Sequence, residues 1–156
     1  MTVVLTPSGS AMSEAVEALR TAGLRVTGPR RSVLGWLSGH PHSTAEQVRA
    51  GVRAAGVSIS YQAVYDVLRA GVAAGLVRRL EPDGHPSRYE RRADDHHHLV
   101  CRRCDRIVDV DGVRGDGPCL DTVGGGYAVE AVEVMFWGLC APCTHGRGGP
   151  AGIIDR

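Results

Sequence analysis

A chain of 156 residues with 43% hydrophobic content has room for one domain or two small ones, although its aromatics are sparse at two Trp, four Tyr and one Phe. The net charge of +1 is unevenly spread: residues 1–90 carry ten Arg against seven acids, residues 91–156 eight Arg against ten acids, a faint pointer to nucleic acid in the first half. No run approaches the roughly 18 apolar residues of a membrane span, and the opening MTVVLTPSGSAMSEA lacks the charged start and long apolar core of an export signal. No membrane partner is expected, and a cytoplasmic location is expected.

Residues 1–10 read as a frayed tail. Over residues 12–22, Met12, Ala15, Val16 and Leu19 recur at helical spacing, and Gly23 stops the helix in a C-cap role. Thr27 is the N-cap of a second helix that buries Val33, Leu34 and Leu37. After the break Gly39-His-Pro-His42, Ser43 or Thr44 caps a third helix running to about Ala54, with Ala45, Val48 and Val52 inward. A fourth runs from about Tyr61 to Ala74 on a stripe of Val64, Val67, Leu68 and Val72, and Gly75 ends it.

The period then changes. Residues 76–80 read as a strand, 81–86 as a turn and 87–90 as the returning strand. Short helices followed by a β-hairpin describe a winged helix-turn-helix, with the helix at 60–74 in the major groove of DNA and the hairpin against the backbone. Residues 91–95 read as a hinge. Beyond it, residues 97–101 and 106–110 are expected as short strands, 112–118 as a glycine-rich segment with a short helix starting near Cys119, and 127–139 as a β-like run. Residues 144–156 are expected to be disordered.

Cys101-Arg-Arg-Cys104 and Cys140-Ala-Pro-Cys143 carry the most chemistry. Each CxxC curls two thiolates onto one ion, and two such knuckles complete the tetrahedral sulfur shell of structural zinc. The 35 residues between them exceed the roughly 15–20 of a compact zinc ribbon, so the pairs are expected at distant corners of a small sheet. The competing reading is two redox dithiols, but those usually open a helix beside a βαβ unit. Cys119 is unpaired, either a small buried hydrophobe or a reactive thiol.

His96-His97-His98 precedes the first knuckle. On a strand His96 and His98 share one face, a chelating arrangement, and the bland alternative is a solvated turn beside Asp94 and Asp95. Glu90 and Asp109 offer carboxylates, and His40 and His42 offer further imidazoles from the first half. Mixed imidazole and carboxylate donors suit Fe(II), Mn(II) or Zn(II). On the fourth helix, Ser60, Tyr61, Gln62 and Tyr65 lie at the N-terminal end; Gln pairs with adenine, and tyrosine reaches thymine methyls or phosphate.

The succession Gly23-Leu-Arg-Val-Thr27-Gly-Pro-Arg30, His42-Ser-Thr-Ala-Glu46, Ala63-Val-Tyr65, Ala74-Gly-Leu-Val77, Arg88-Tyr-Glu90, Asp95-His-His-His98-Leu-Val-Cys101 and Gly138-Leu-Cys140-Ala-Pro-Cys143 resembles the ferric uptake regulator (Fur) family over residues 12–143. The segment Asp109-Val-Asp-Gly112, with Pro118-Cys-Leu120 and Trp137-Gly-Leu-Cys140, is most similar to the peroxide-responsive branch that represses catalase-peroxidase genes.

The resemblance implies an α+β protein. It would comprise a winged helix-turn-helix DNA-binding domain (11–90), a hinge (91–95), a small α/β metal-binding dimerisation domain with a zinc-stapled sheet (96–144) and a tail (145–156). It implies a homodimer, not an enzyme, that represses transcription from a palindromic double-stranded operator when a regulatory divalent metal is bound. Structural Zn2+ falls on Cys101, Cys104, Cys140 and Cys143, and regulatory Fe2+ or Mn2+ on His42, Glu90, His96, His98 and Asp109. In peroxide sensors of the family, Fe(II) reacts with hydrogen peroxide and oxidises a ligand histidine, here His42 or His96, releasing DNA. Arg25, Arg30 and Tyr65 fall in the DNA-contacting region.

Three positions depart from the pattern. Glu90 stands where peroxide sensors often carry Asp, which leaves open an iron- or zinc-responsive nutritional repressor without peroxide sensing. Asp66 replaces a common Arg, placing operator choice on Tyr61 and Gln62. Leu139 replaces a histidine of some iron regulators. A metalloenzyme built on the imidazole and carboxylate groups has no evident nucleophile or general base to support it.

Overall fold

A computed structural model describes residues 9–92, 96–110 and 134–146. The chain divides into two compact units, Met1–Asp94 and Asp95–Arg156.

The first unit orders helices α1 (Gly9–Thr21), α2 (Gly28–Gly39), α3 (Ala45–Ala54) and α4 (Tyr61–Ala73) before the antiparallel strands β1 (Val77–Leu80) and β2 (Arg88–Arg91). Three helices start on a side-chain cap: Thr27 accepts from Arg30 N–H, Ser60 accepts from Ala63 N–H, and Thr44 forms a reciprocal capping box with Gln47. Gly23 and Gly75 follow α1 and α4 at φ 69° and 70°, where only glycine avoids a steric penalty. In both, the next amide reaches back one turn, Leu24 N–H to Leu19 O at 2.8 Å and Leu76 N–H to Gly71 O at 2.9 Å, which closes the helix and turns the chain inward.

The core of this unit collects Ala15 and Leu19 of α1, Val33, Leu34, Trp36 and Leu37 of α2, Ala45, Val48 and Val52 of α3, and Val64, Val67 and Leu68 of α4. The expected stripe of α4 needs one correction. Val72 is 39% exposed, and the inward place on that turn belongs to buried Gly71. The helical repeat from Val64 through Leu68 lands on position 71, and a Cβ there would come within 2.7 Å of Val77 Cγ2, so glycine lets β1 pack tightly on α4.

The second unit contains β3 (His97–Cys101), β4 (Ile107–Val110), β5 (Met135–Gly138) and the short helix α5 (Ala141–Thr144). Its sheet runs β4-β3-β5, antiparallel between β3 and β4 and parallel between β3 and β5. The expected architecture of winged helix and small mixed α/β unit is the one observed.

Three boundaries move. Gly9 and Ser10 already belong to α1 rather than to a frayed tail. Arg91 continues β2 and Arg92 N–H donates to Leu76 O at 3.0 Å, so these residues extend the wing rather than open a hinge; residues 93–95 lie outside the described residues. Residues 144–146 are ordered, not frayed: Thr144 ends α5 and Gly146 N–H returns to Cys143 O. Expectations for residues 1–8, 111–133 (Cys119 included) and 147–156 also lie outside the described residues. Among the described residues no helix is long and apolar enough to cross a membrane.

Candidate metal centres and nucleic-acid interface

The two cysteine pairs do not sit at distant corners of the sheet, as their sequence separation suggested; they meet at one end of neighbouring strands because β3 and β5 pair in parallel. Cys101 ends β3 opposite Gly138 of β5, and Arg102 N–H donates to Gly138 O at 2.8 Å, so the chain leading to Cys140 runs beside the first knuckle. Asp105, at φ 55°, reverses the chain and donates its N–H to Cys101 O at 2.9 Å. Cys140 caps α5, whose first turn carries Pro142 and Cys143.

All four Sγ atoms lie within 4.8 Å of one another. A tetrahedral zinc with Zn–S near 2.3 Å needs S···S edges of about 3.8 Å. The Cys104–Cys140 separation is 3.7 Å. One convergent set of free thiols fits a single Zn2+ ion; two independent redox dithiols have no reason to meet. The thiols are also electrostatically unequal. The Cys140 backbone amide draws the Cys101 thiol down to about 6. Burial, followed by the neighbouring thiols, pushes Cys143 up to about 12. Cys104 is raised despite the opposing Arg106 amide, through burial and thiol neighbours.

The first unit holds an imidazole–carboxylate pair. Ser43 and Tyr89 exchange backbone hydrogen bonds at 3.1 and 2.8 Å, and this bridge sets His42 beside Glu90 with Nε2 to Oε2 at 2.9 Å. His42 has φ 57°, an uncommon conformation for a non-glycine residue. Glu90 is 2% exposed, and its other oxygen receives Arg78 Nη1 at 3.2 Å from the facing position of β1. A buried carboxylate held by a cation is fixed in orientation, as ligands at metal sites generally are. Arg78 was not among the expected site residues. The returning strand starts at Arg88, opposite Leu80, rather than at residue 87, and Ser87 Oγ instead accepts from Arg79.

The second unit holds a trio. His98 pairs with Asp109 in the β3–β4 register, and Asp109 Oδ1 lies 3.4 Å from His96 Nε2 and 3.8 Å from His98 Nε2. The two rings are 4.7 Å apart, whereas His97 turns to Phe136 on the other side of the strand. His40 stacks on Trp36 at 3.5 Å and bonds its carbonyl through Nδ1, outside the imidazole–carboxylate pair.

Of the expected nucleic-acid contacts, Ser60 is exposed and caps α4 through its hydroxyl oxygen, while Tyr61, Gln62 and Tyr65 stand on the exposed face of that helix at 44% and 52% exposure for the tyrosines. Arg49 lies 4.0 Å above the Tyr61 ring, and the Tyr61 hydroxyl donates to Glu46. Arg25 is exposed before α2, and Arg30 donates to its carbonyl at 2.9 Å.

The sequence profile of the ferric uptake regulator family matches residues 21–114. The chain is 48% identical over 137 residues to "Transcriptional regulator FurA" of Mycobacterium tuberculosis, covering 86% of this chain and 93% of the relative. It is 30% identical over 141 residues to "Peroxide-responsive repressor PerR" of Staphylococcus epidermidis, covering 86% and 91%. The solved ferric uptake regulator of Pseudomonas aeruginosa with manganese superposes with TM-score 0.64 at 26% identity, covering 81% of this chain and 98% of that one.

Proposed function

This chain belongs to the ferric uptake regulator family, and from that premise we propose that it is a repressor whose hold on DNA follows the supply of a divalent metal. Members of the family are metal-dependent transcriptional regulators rather than enzymes. The observation that carries the reading is the division of mixed donors into two incomplete sets, His42 with Glu90 and His96 with His98 and Asp109. Two or three donors fall short of the shell of a six-coordinate transition ion. We take the five residues as ligands of one regulatory Fe2+ or Mn2+, so that occupancy fixes one ligand set against the other. The solved relative described with manganese supports that choice of metal. The ion would supply a divalent charge that neutralises Glu90 and Asp109. Arg78 keeps one oxygen of Glu90 occupied and turns the other toward His42.

The four thiols serve as a separate structural Zn2+ site that ties the end of β3 to α5. Residues 11–90 are taken as the DNA-binding domain and 96–144 as the metal-binding dimerisation domain. Arg25, Arg30, Ser60, Tyr61, Gln62 and Tyr65 are taken as the DNA-facing set. A homodimer would place two α4 helices on a palindromic duplex one helical turn apart.

A second reading, peroxide sensing by oxidation of His42 or His96, is favoured by the 30% identical peroxide-responsive relative. The two readings separate in one assay. Anaerobic Fe(II)- and Mn(II)-loaded protein is treated with micromolar hydrogen peroxide and returned to a duplex selected from a random pool. Metal-supply sensing predicts that both forms keep binding. Loss confined to the Fe(II) form, with one added oxygen on the His42 or His96 peptide, would replace it with the second reading.

A further inference from the structure

The exposed face of α4 carries a hydrogen-bonded triad at helical spacing. Asp66 Oδ1 accepts from Gln62 Nε2 at 3.0 Å and from Arg69 Nη2 at 2.9 Å. Residues four before and three after a given position are its neighbours on a helix surface, so the triad needs no other element. It borders a groove of about 450 Å3 between α4 and the wing, into which Tyr65, Arg79 and Tyr89 also face.

A carboxylate only accepts hydrogen bonds. The amide of Gln62 therefore has one orientation open to it beside Asp66, nitrogen inward, although a solitary glutamine amide is free to turn over. With one N–H committed to Asp66, Gln62 keeps its Oε1 and its second N–H. That acceptor–donor pair matches the N6 donor and N7 acceptor of adenine in the major groove. Arg69 holds the same carboxylate oxygen from the other side and supplies the positive charge that offsets a carboxylate near phosphates.

We propose that Asp66 is a positioning residue for base recognition: it locks the Gln62 amide in the adenine-reading orientation and ties back Arg69, which would otherwise reach for phosphate. The inference rests on the reading of this chain as a DNA-binding regulator with α4 in the major groove. It also gives the acidic side chain on that helix a role of opposite sign from a phosphate contact, since it lowers general affinity and raises discrimination.

The test is selection of binding sites from a random duplex pool by Mn(II)-loaded wild type, Asp66→Asn, Gln62→Ala and the double variant, with affinity for a scrambled duplex measured over a salt series. The carboxamide introduced by Asp66→Asn has nearly the shape of the carboxylate but both donates and accepts, so the Gln62 amide is no longer forced. The expected result is that Asp66→Asn loses about tenfold in preference at the same base pairs that Gln62→Ala relaxes. The double variant should be no worse there than Gln62→Ala. Affinity of Asp66→Asn for the scrambled duplex should rise, with a salt slope steeper by about one phosphate contact as Arg69 is released. A wild-type consensus from Asp66→Asn, or loss at positions Gln62→Ala leaves intact, overturns the inference. Failure of wild type itself to enrich any sequence overturns the regulator reading beneath it.

Discussion

At the residue scale, the chemistry of both ligand sets depends on what fixes each donor. Glu90 is held by Arg78, His42 by a left-handed backbone position next to the Ser43–Tyr89 bridge, and Cys101 by its place opposite Gly138. The residue types were legible in the sequence, because CxxC pairs and a His-x-His beside carboxylates are rare by accident. Arg78 was not, because its partnership exists only once the wing register is set. The unequal thiols give a prediction with a definite sign. At pH 7.5 Cys101, lowered to about 6, is already a thiolate, whereas Cys143, raised to about 12, and Cys104, also raised, hold protons that must leave when zinc binds. Zinc affinity of the metal-free protein, measured by chelator competition, should fall as pH is lowered from 8. The fall should steepen by one proton as pH drops through about 6, where Cys101 takes up its own proton. A flat profile between pH 8 and 6 would show that the four thiols do not share the ion.

At the scale of elements, the helices were the most readable part. Caps, inward stripes and terminating glycines each follow from local rules, and Val33, Leu34, Leu37, Val48 and Val52 are buried as their spacing implies. The departures all involve contacts from elsewhere in the chain. Val72 yields its inward place to Gly71 because β1 presses on that turn, and α5 is a four-residue turn defined by its cysteines rather than by any periodicity. Gly51 is the most demanding such contact. A Cβ on it would fall 2.2 Å from the indole of Trp36, so α2 and α3 approach at a point where only glycine fits. Gly51→Ala must displace a ring that also stacks on His40. Overpacking of this kind costs about 1–3 kcal/mol, more than the gain in helix propensity of up to about 1 kcal/mol. Urea unfolding of the zinc-loaded protein should show the lower midpoint; an unchanged or higher midpoint would mean that the α2–α3 contact yields freely.

At the scale of the whole molecule, the division of labour follows from where the donors lie. The cysteine set belongs wholly to the second unit, so the zinc proposed there would act on that unit's own fold. The imidazole and carboxylate donors are distributed over both units, which is why their metal is proposed to govern DNA binding rather than stability. Sequence spacing alone separated the two sets by chemistry, thiolate against nitrogen and oxygen. It could not say that β5 would return parallel to β3 and gather the thiols, because that pairing joins residues far apart in the chain.

The metal dependence is tested most directly by DNA binding of anaerobic zinc-loaded protein as Mn(II) is added, followed by fluorescence anisotropy of a selected duplex for wild type and His98→Ala. Wild type should bind only as Mn(II) rises, and His98→Ala should stay folded and zinc-loaded yet fail to bind over the same range. Equal binding by both proteins with no Mn(II) present would contradict that dependence.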